Sequence, residues 1–167
     1  MMGTGKSLVG KVLAEKTGFA RFDTDEMISS KLKMRIEEIF SRHGEEYFRN
    51  LETETLRSLS ENGPAIVVTG GGIVLRTENV ELLKQMGTIV WLDADEATLH
   101  ARIHRMQDRP LLRTANPTAS LLELQQTREP LYGKASDLRV DISQTNAEEI
   151  AELILKNIRN VAVGECM

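Results

Sequence analysis

A glycine-rich stretch that opens straight into a helix leaves few folds to choose from, and Gly3-Thr4-Gly5-Lys6-Ser7 is such a stretch. It matches the end of a phosphate-binding loop, G-x-x-x-x-G-K-[ST], with Gly5, Lys6 and Ser7 in the final positions and Gly3 two before them. Glycines let successive backbone N–H groups point at one anion. The helix that follows, Leu8 to Lys16, adds the positive end of its dipole. Lys6 offers a charge to the outer phosphates, and the Ser7 hydroxyl can ligate magnesium. The competing reading is an ordinary flexible N-terminus. The loop's first glycine would stand one residue before Met1, and no strand precedes Gly3, although a phosphate loop follows a strand. Losing a strand from mid-sheet leaves its neighbours with unpaired N–H and C=O groups. The expectation is therefore a sequence that starts late, at an internal methionine.

The remaining chain alternates strand and helix signals. Val9, Val12 and Leu13 mark one face of the first helix, with Gly18 as its stop. Phe19 to Phe22 reads as a short strand ending at Asp23-Thr24-Asp25, and a helix begins near Glu26. Ile36 to Arg42 and Glu45 to Ser60 read as two helices broken at His43-Gly44, the second with Phe48, Leu51, Thr55 and Leu59 at helical spacing. Ala65 to Thr69 is a continuous apolar, β-branched run, as a strand buried on both faces requires, and it delivers Gly70-Gly71-Gly72. Asn79 to Met86 is helical, Thr88 to Leu92 is a strand, and Asp95 caps a helix holding Leu99 and Ile103. Arg105 to Pro117 lacks periodicity and reads as a mobile surface loop. Ser120 to Arg128 is helical with Pro130 as its stop, and Leu138 to Ile142 is the last strand. Asn146 with Glu149 resembles a capping box for a closing amphipathic helix with Ile150, Leu153, Ile154 and Ile158. Such alternation predicts an α/β fold, a parallel sheet flanked by helices, with ligands outside the carboxyl ends of its strands.

Composition narrows the function. A chain of 167 residues with 41% apolar and 28% charged residues fits one soluble domain, residues 1–167. No run suits a bilayer, the N-terminus is polar by Thr4, and the lone Cys166 excludes a disulfide framework. These features favour the cytoplasm. A net charge of −4 argues against a general nucleic-acid binder, so any anion site must concentrate positive charge locally.

Several residues can supply it. Of Asp23 and Asp25, one carboxylate can help hold magnesium while the other accepts a proton from a hydroxyl; a turn and helix cap is the alternative. Arg49 and Glu52, three apart on one helix, can pair at the surface or present the arginine fork to a carboxylate. Gly70-Gly71-Gly72 makes sense where backbone must approach a ligand closely. Arg102, Arg105, Arg109 and Arg113 form either a solvated face or, with Arg109-Pro110, a lid over phosphates. Arg128 serves a helix C-terminus or acts as a second carboxylate clamp. His43, His100 and His104 make no metal motif.

In this order and spacing, Met2-Gly3-Thr4-Gly5-Lys6-Ser7, Asp23-Thr24-Asp25, Phe48-Arg49 with Glu52, Gly70-Gly71-Gly72, Arg109-Pro110-Leu111-Leu112 and Arg128-Glu129-Pro130-Leu131-Tyr132 resemble the shikimate kinase family, over essentially Met1 to about Asn160. The resemblance implies a three-layer phosphate-loop fold with five parallel strands ordered 2-3-1-4-5, the first and central one missing here. It implies a monomer that transfers phosphate from ATP to the 3-hydroxyl of shikimate, on the way to chorismate and the aromatic amino acids. Carried over by position, Gly3, Thr4, Gly5, Lys6 and Ser7 hold the ATP phosphates, with Ser7 and Asp23 at Mg2+. Asp25 holds the shikimate hydroxyls and orients or deprotonates the attacking one. Arg49, braced by Glu52, and Arg128 clamp the shikimate carboxylate; Gly71 and Gly72 add backbone contacts. Arg109 comes in with the lid, at about 105–117, to the transferring group, and Arg102 packs near adenine. The rivals are a kinase of another small acid such as gluconate, and a non-catalytic, truncated kinase-like protein.

Overall fold

The structure, a computed structural model, describes residues 4–60, 63–95, 97–98 and 117–164. Gly3, Arg102, Arg109 and the expected lid up to residue 116 lie outside the described residues. The elements are α1 (Lys6–Thr17), β1 (Ala20–Asp23), α2 (Thr24–Leu32), α3 (Ile36–Leu59), β2 (Ala65–Val68), a 3-10 turn (Ile73–Leu75), α4 (Thr77–Met86), β3 (Val90–Asp93), α5 (Pro117–Ala135), β4 (Leu138–Asp141) and α6 (Ala147–Gly164).

Local chemistry sets most of these boundaries. α1 buries Val9, Val12 and Leu13, and the Gly18 N–H closes it on the Ala14 carbonyl at 2.8 Å. Asp23 caps α2, its Oδ1 accepting from the N–H groups of Asp25 at 3.2 Å and Glu26 at 3.4 Å. α3 is one run bent at Gly44, where φ 82 and ψ 171 are open essentially only to glycine; the two helices expected there meet at this bend. Beyond it Phe48, Leu51, Thr55 and Leu59 are all buried. At α6, Asn146 Oδ1 accepts from the N–H groups of Glu148 and Glu149 at 3.0 Å each, and the Glu149 carboxylate accepts from the Asn146 N–H at 3.2 Å.

One expectation fails. Pro130 does not stop α5, which runs on to Ala135. Tertiary contacts beyond the proline offset the missing N–H: Tyr132 and Ala135 are buried in the main core, and the Tyr132 hydroxyl donates to the Gly71 carbonyl at 2.6 Å. On α6, Leu153 stands apart from the buried Ile150 and Ile154 and is 43% exposed. The buried stripe of α6 runs through Ile150, Ala151 and Ile154, and Leu153 falls at its edge.

Among the described residues the strands form two pairs, each parallel. β1 pairs with β2 from Ala20 opposite Ala65 to Asp23 opposite Val68, and β3 with β4 from Val90 opposite Leu138 to Asp93 opposite Asp141. Among the described residues no strand joins the two pairs. One apolar core nonetheless serves both, since Ile66 and Val67 pack on the cluster that holds Trp91, Leu92, Val140 and Ile142. α1 lies directly on β2: a Cβ added at Gly10 would fall 2.4 Å from Val68 Cγ2. A smaller cluster, Ile28, Ile39, Phe48 and Leu51, joins α2 to α3. Because Asp23 and Val68 are register partners, Thr24-Asp25 and Thr69 to Gly72 leave the sheet at the same level. No helix among the described residues is long and apolar enough to cross a membrane.

Candidate active site

The site has two ends. At the first, Gly5 stands before α1 in a left-handed conformation, φ 75, and its carbonyl accepts from the N–H groups of Leu8 and Val9 at 3.0 Å. The chain thus turns sharply into the helix and presents the helix N-terminus, with Lys6 and Ser7 in the first turn. The Ser7 hydroxyl donates to Asp23 Oδ2 at 2.9 Å. Asp23 is 6% exposed, and Arg21 Nη1 stands 3.5 Å from the same oxygen. Its other oxygen is spent on the α2 cap, which fixes the carboxylate in place. Ser7 and Asp23 therefore set two hard oxygens close to the spacing of adjacent ligands in an octahedral shell of radius about 2.1 Å.

The second end is built around the turn after β2. A Cβ on Gly70 would lie 2.9 Å from Asp25 Oδ1 and 3.1 Å from Glu52 Oε1; one on Gly72 would lie 2.4 Å from both Nη1 and Nη2 of Arg49. The left-handed glycines lie elsewhere, so it is close approach, not backbone freedom, that requires glycine in this turn. The approaching groups are the chain's own side chains. Arg49 is buried between Phe40 and Phe48, its guanidinium carbon 5.9 and 5.5 Å from their ring centroids. Its Nη1 donates to Glu52 Oε2 at 2.6 Å. Tyr132, hydrogen-bonded to Gly71, ties α5 to the turn. Arg128, one helical turn earlier, acts electrostatically on both Tyr132 and Glu52. It sits well inside α5, so it does not serve that helix's C-terminus.

Burial pushes the Glu52 carboxyl up to about 7, and the neighbouring Asp25 adds to the effect; Arg49 and Arg128 oppose it. Because the folded value lies above the ordinary 4.5, the fold favours the protonated acid. That contribution to stability is complete below about pH 4.5 and is lost as the pH rises through about 7. Urea midpoints of the parent and Glu52→Gln should therefore diverge between pH 5 and pH 8 in favour of the variant, by a contribution on the order of a few kcal/mol. A constant difference across that range would contradict the assignment.

A separate cavity of about 570 Å³ opens between α1 and the start of α6, with Leu8, Val12, Glu148, Glu149 and Glu152 among its lining residues. Its charge is wrong for an anionic substrate. Among the sequence candidates, the structure gathers Thr4, Gly5, Lys6, Ser7 and Asp23 at the first end. It gathers Asp25, Arg49, Gly71, Gly72 and Arg128 at the second. Sequence reasoning missed two participants: the Tyr132 hydroxyl and Glu45, whose Oε1 accepts from Arg49 Nη2 at 2.8 Å. Glu45 lies four residues before Arg49 on the same helix, a spacing that signals a pair.

The chain is similar in sequence and in fold to known proteins. A family model described as shikimate kinase matches residues 2–159. The shikimate kinase of Thermodesulfovibrio yellowstonii is 42% identical over 164 residues, covering 98% of this chain and 94% of that protein. That of Trichormus variabilis is 43% identical over 161 residues, covering 96% and 86%. Among solved structures, the shikimate kinase from Acinetobacter baumannii in complex with shikimate matches with a TM-score of 0.91 and 36% identity, over 95% of this chain and 89% of that one. The shikimate kinase from Aquifex aeolicus matches at 0.82 and 32% identity, over 98% and 95%. Matches of this extent, in sequence and in fold alike, show that the chain belongs to the shikimate kinase family.

Proposed function

We propose that this chain transfers the γ-phosphoryl group of ATP to the 3-hydroxyl of shikimate, yielding ADP and shikimate 3-phosphate for the route to chorismate. The observation that supports it most is the grouping of one carboxylate, Asp25, with two arginines, Arg49 and Arg128, around a glycine turn at the level where the β1 and β2 strands end. A small acid bearing hydroxyls matches those charges; shikimate is one, and it is bound in the Acinetobacter baumannii relative.

Roles follow from position. Thr4 to Ser7, with Gly3, cradle the ATP phosphates, and Lys6 lowers the charge on the outer ones. Ser7 and Asp23 would hold Mg2+, which supplies charge neutralisation between the phosphates when bound. Arg49 and Arg128 fix the shikimate carboxylate, with Gly71 and Gly72 offering backbone groups. That anchoring aims the 3-hydroxyl at Asp25, which takes its proton as the oxygen bonds to phosphorus and the bond to ADP breaks. Arg109 is assigned to charge on the transferring group and Arg102 to the adenine, both by family resemblance alone. The working form is one domain and a cytoplasmic monomer, with a lid at about 105–117 and with no nucleic-acid or membrane partner. Phosphorylation assays with shikimate, gluconate and quinate test this: shikimate should be the preferred acceptor, and preference for gluconate would overturn it.

Gly72→Ala gives a sharper check on the clamp. Its methyl group would displace the Arg49 guanidinium. KM for shikimate should rise about 10–100-fold, as misplacement on the order of 1 Å does, with KM for ATP unchanged. An unchanged KM for shikimate would remove Arg49 from the binding site.

A further inference from the structure

Arg49 is paired with two carboxylates, and they are not equivalent. Glu52 is fully buried and takes Nη1. Glu45 takes the opposite edge of the guanidinium: its Oε1 accepts from Nη2 at 2.8 Å and from Nε at 3.2 Å. That Nε–Nη2 edge is a fork that can take a carboxylate bidentately. Arg49 itself is only 7% exposed, whereas the Glu45 side chain is 55% exposed. Glu45 also directly follows the bend at Gly44, so it stands in the first turn of the helix segment that carries Arg49.

We propose that Glu45 is a resident stand-in for the substrate carboxylate: it covers the open edge of Arg49 when the site is empty and yields that edge when the acid binds. The proposal rests on the reading of Arg49 as the carboxylate clamp. Physically, a buried guanidinium left with an unpaired edge is costly, and an internal carboxylate relieves that cost. The Glu45 end of the pair is solvated and sits on a side chain with many rotamers, so displacing it costs little. The carboxylate of the substrate therefore exchanges one partner of Arg49 for another instead of pairing a bare charge. Glu45 sets how tightly, and how selectively, the site takes a carboxylate. It acts through Arg49 and is a positioning residue.

Removing the competitor should strengthen binding, which loss of an ordinary brace would not. Calorimetric Kd values for shikimate and for its neutral carboxamide, on the parent, Glu45→Gln and Glu45→Ala, separate the cases. Glu45→Gln and Glu45→Ala should bind shikimate about two- to fivefold more tightly, a modest gain because the Glu45 end of the pair is solvated, and the carboxamide as the parent does. Weaker shikimate binding in both variants would overturn the proposal by making Glu45 a second brace. Equal shifts for acid and carboxamide, or no shift for either, would overturn it as well. If the parent and Arg49→Ala bind shikimate alike, the clamp reading itself falls, a result distinct from any of these.

Discussion

Replacing Asp25 by Asn should lower kcat by about 10²–10⁴-fold, the range expected for losing a positioned general base, while ATP binding stays at the parent level. The variant keeps the size and shape of the side chain, so the turn at Gly70, where Asp25 Oδ1 would stand 2.9 Å from an added Cβ, is not crowded further. The ability to take the hydroxyl proton is lost, together with the carboxylate's negative charge. Because Asp25 helps hold the Glu52 carboxyl up, the same substitution should also lower the apparent pKa of Glu52 from about 7. The pH dependence of stability would then follow the kinetics with an independent readout. Turnover at the parent rate would remove Asp25 from the chemistry.

Arg49→Ala should raise KM for shikimate by about 10²–10³-fold, as truncating one partner of a buried, hydrogen-bonded charge pair does, with KM for ATP unchanged within about twofold. It should also cost stability. Glu52, fully buried, would lose its 2.6 Å partner and retain Asp25 as a like charge; breaking such a pair costs about 3–5 kcal/mol. The double variant Arg49→Met with Glu52→Gln removes both charges and should recover much of that loss without recovering shikimate affinity. Recovery of both would make the pair structural only. An ATP-specific defect in Arg49→Ala would place the arginine at the wrong end of the site.

What could be seen in the sequence, and what could not, follows from the range of the forces involved. Local signals were legible: the apolar face of Val9, Val12 and Leu13, the box at Asn146 and Glu149, the bend at Gly44 and the strand Ala65–Val68 all depend on neighbours within a few residues. Pro130 was misread because the contacts that hold α5 together beyond it, above all Tyr132 on Gly71, span 61 residues. The Arg49–Glu52 pair was legible from its spacing, and Glu45 had as good a spacing, but nothing local says which of two carboxylates is buried. The glycine turn was legible as a place of close approach, but not that Asp25, Glu52 and Arg49 of the same chain lie against it. That packing depends on how α2 and α3 meet β2, which no local pattern encodes. The break between the two strand pairs followed from the family resemblance instead: the order 2-3-1-4-5 without its first strand leaves β1–β2 and β3–β4 as separate pairs, as observed among the described residues.

The central claim is phosphoryl transfer to shikimate, and the most direct test is ADP release by this chain with ATP and shikimate present together and singly, with the product identified by mass and phosphorus NMR. The account predicts ADP release that requires both substrates and a single product phosphorylated at the 3-hydroxyl. ADP release that ignores shikimate, or none from a folded protein given both substrates, would contradict it.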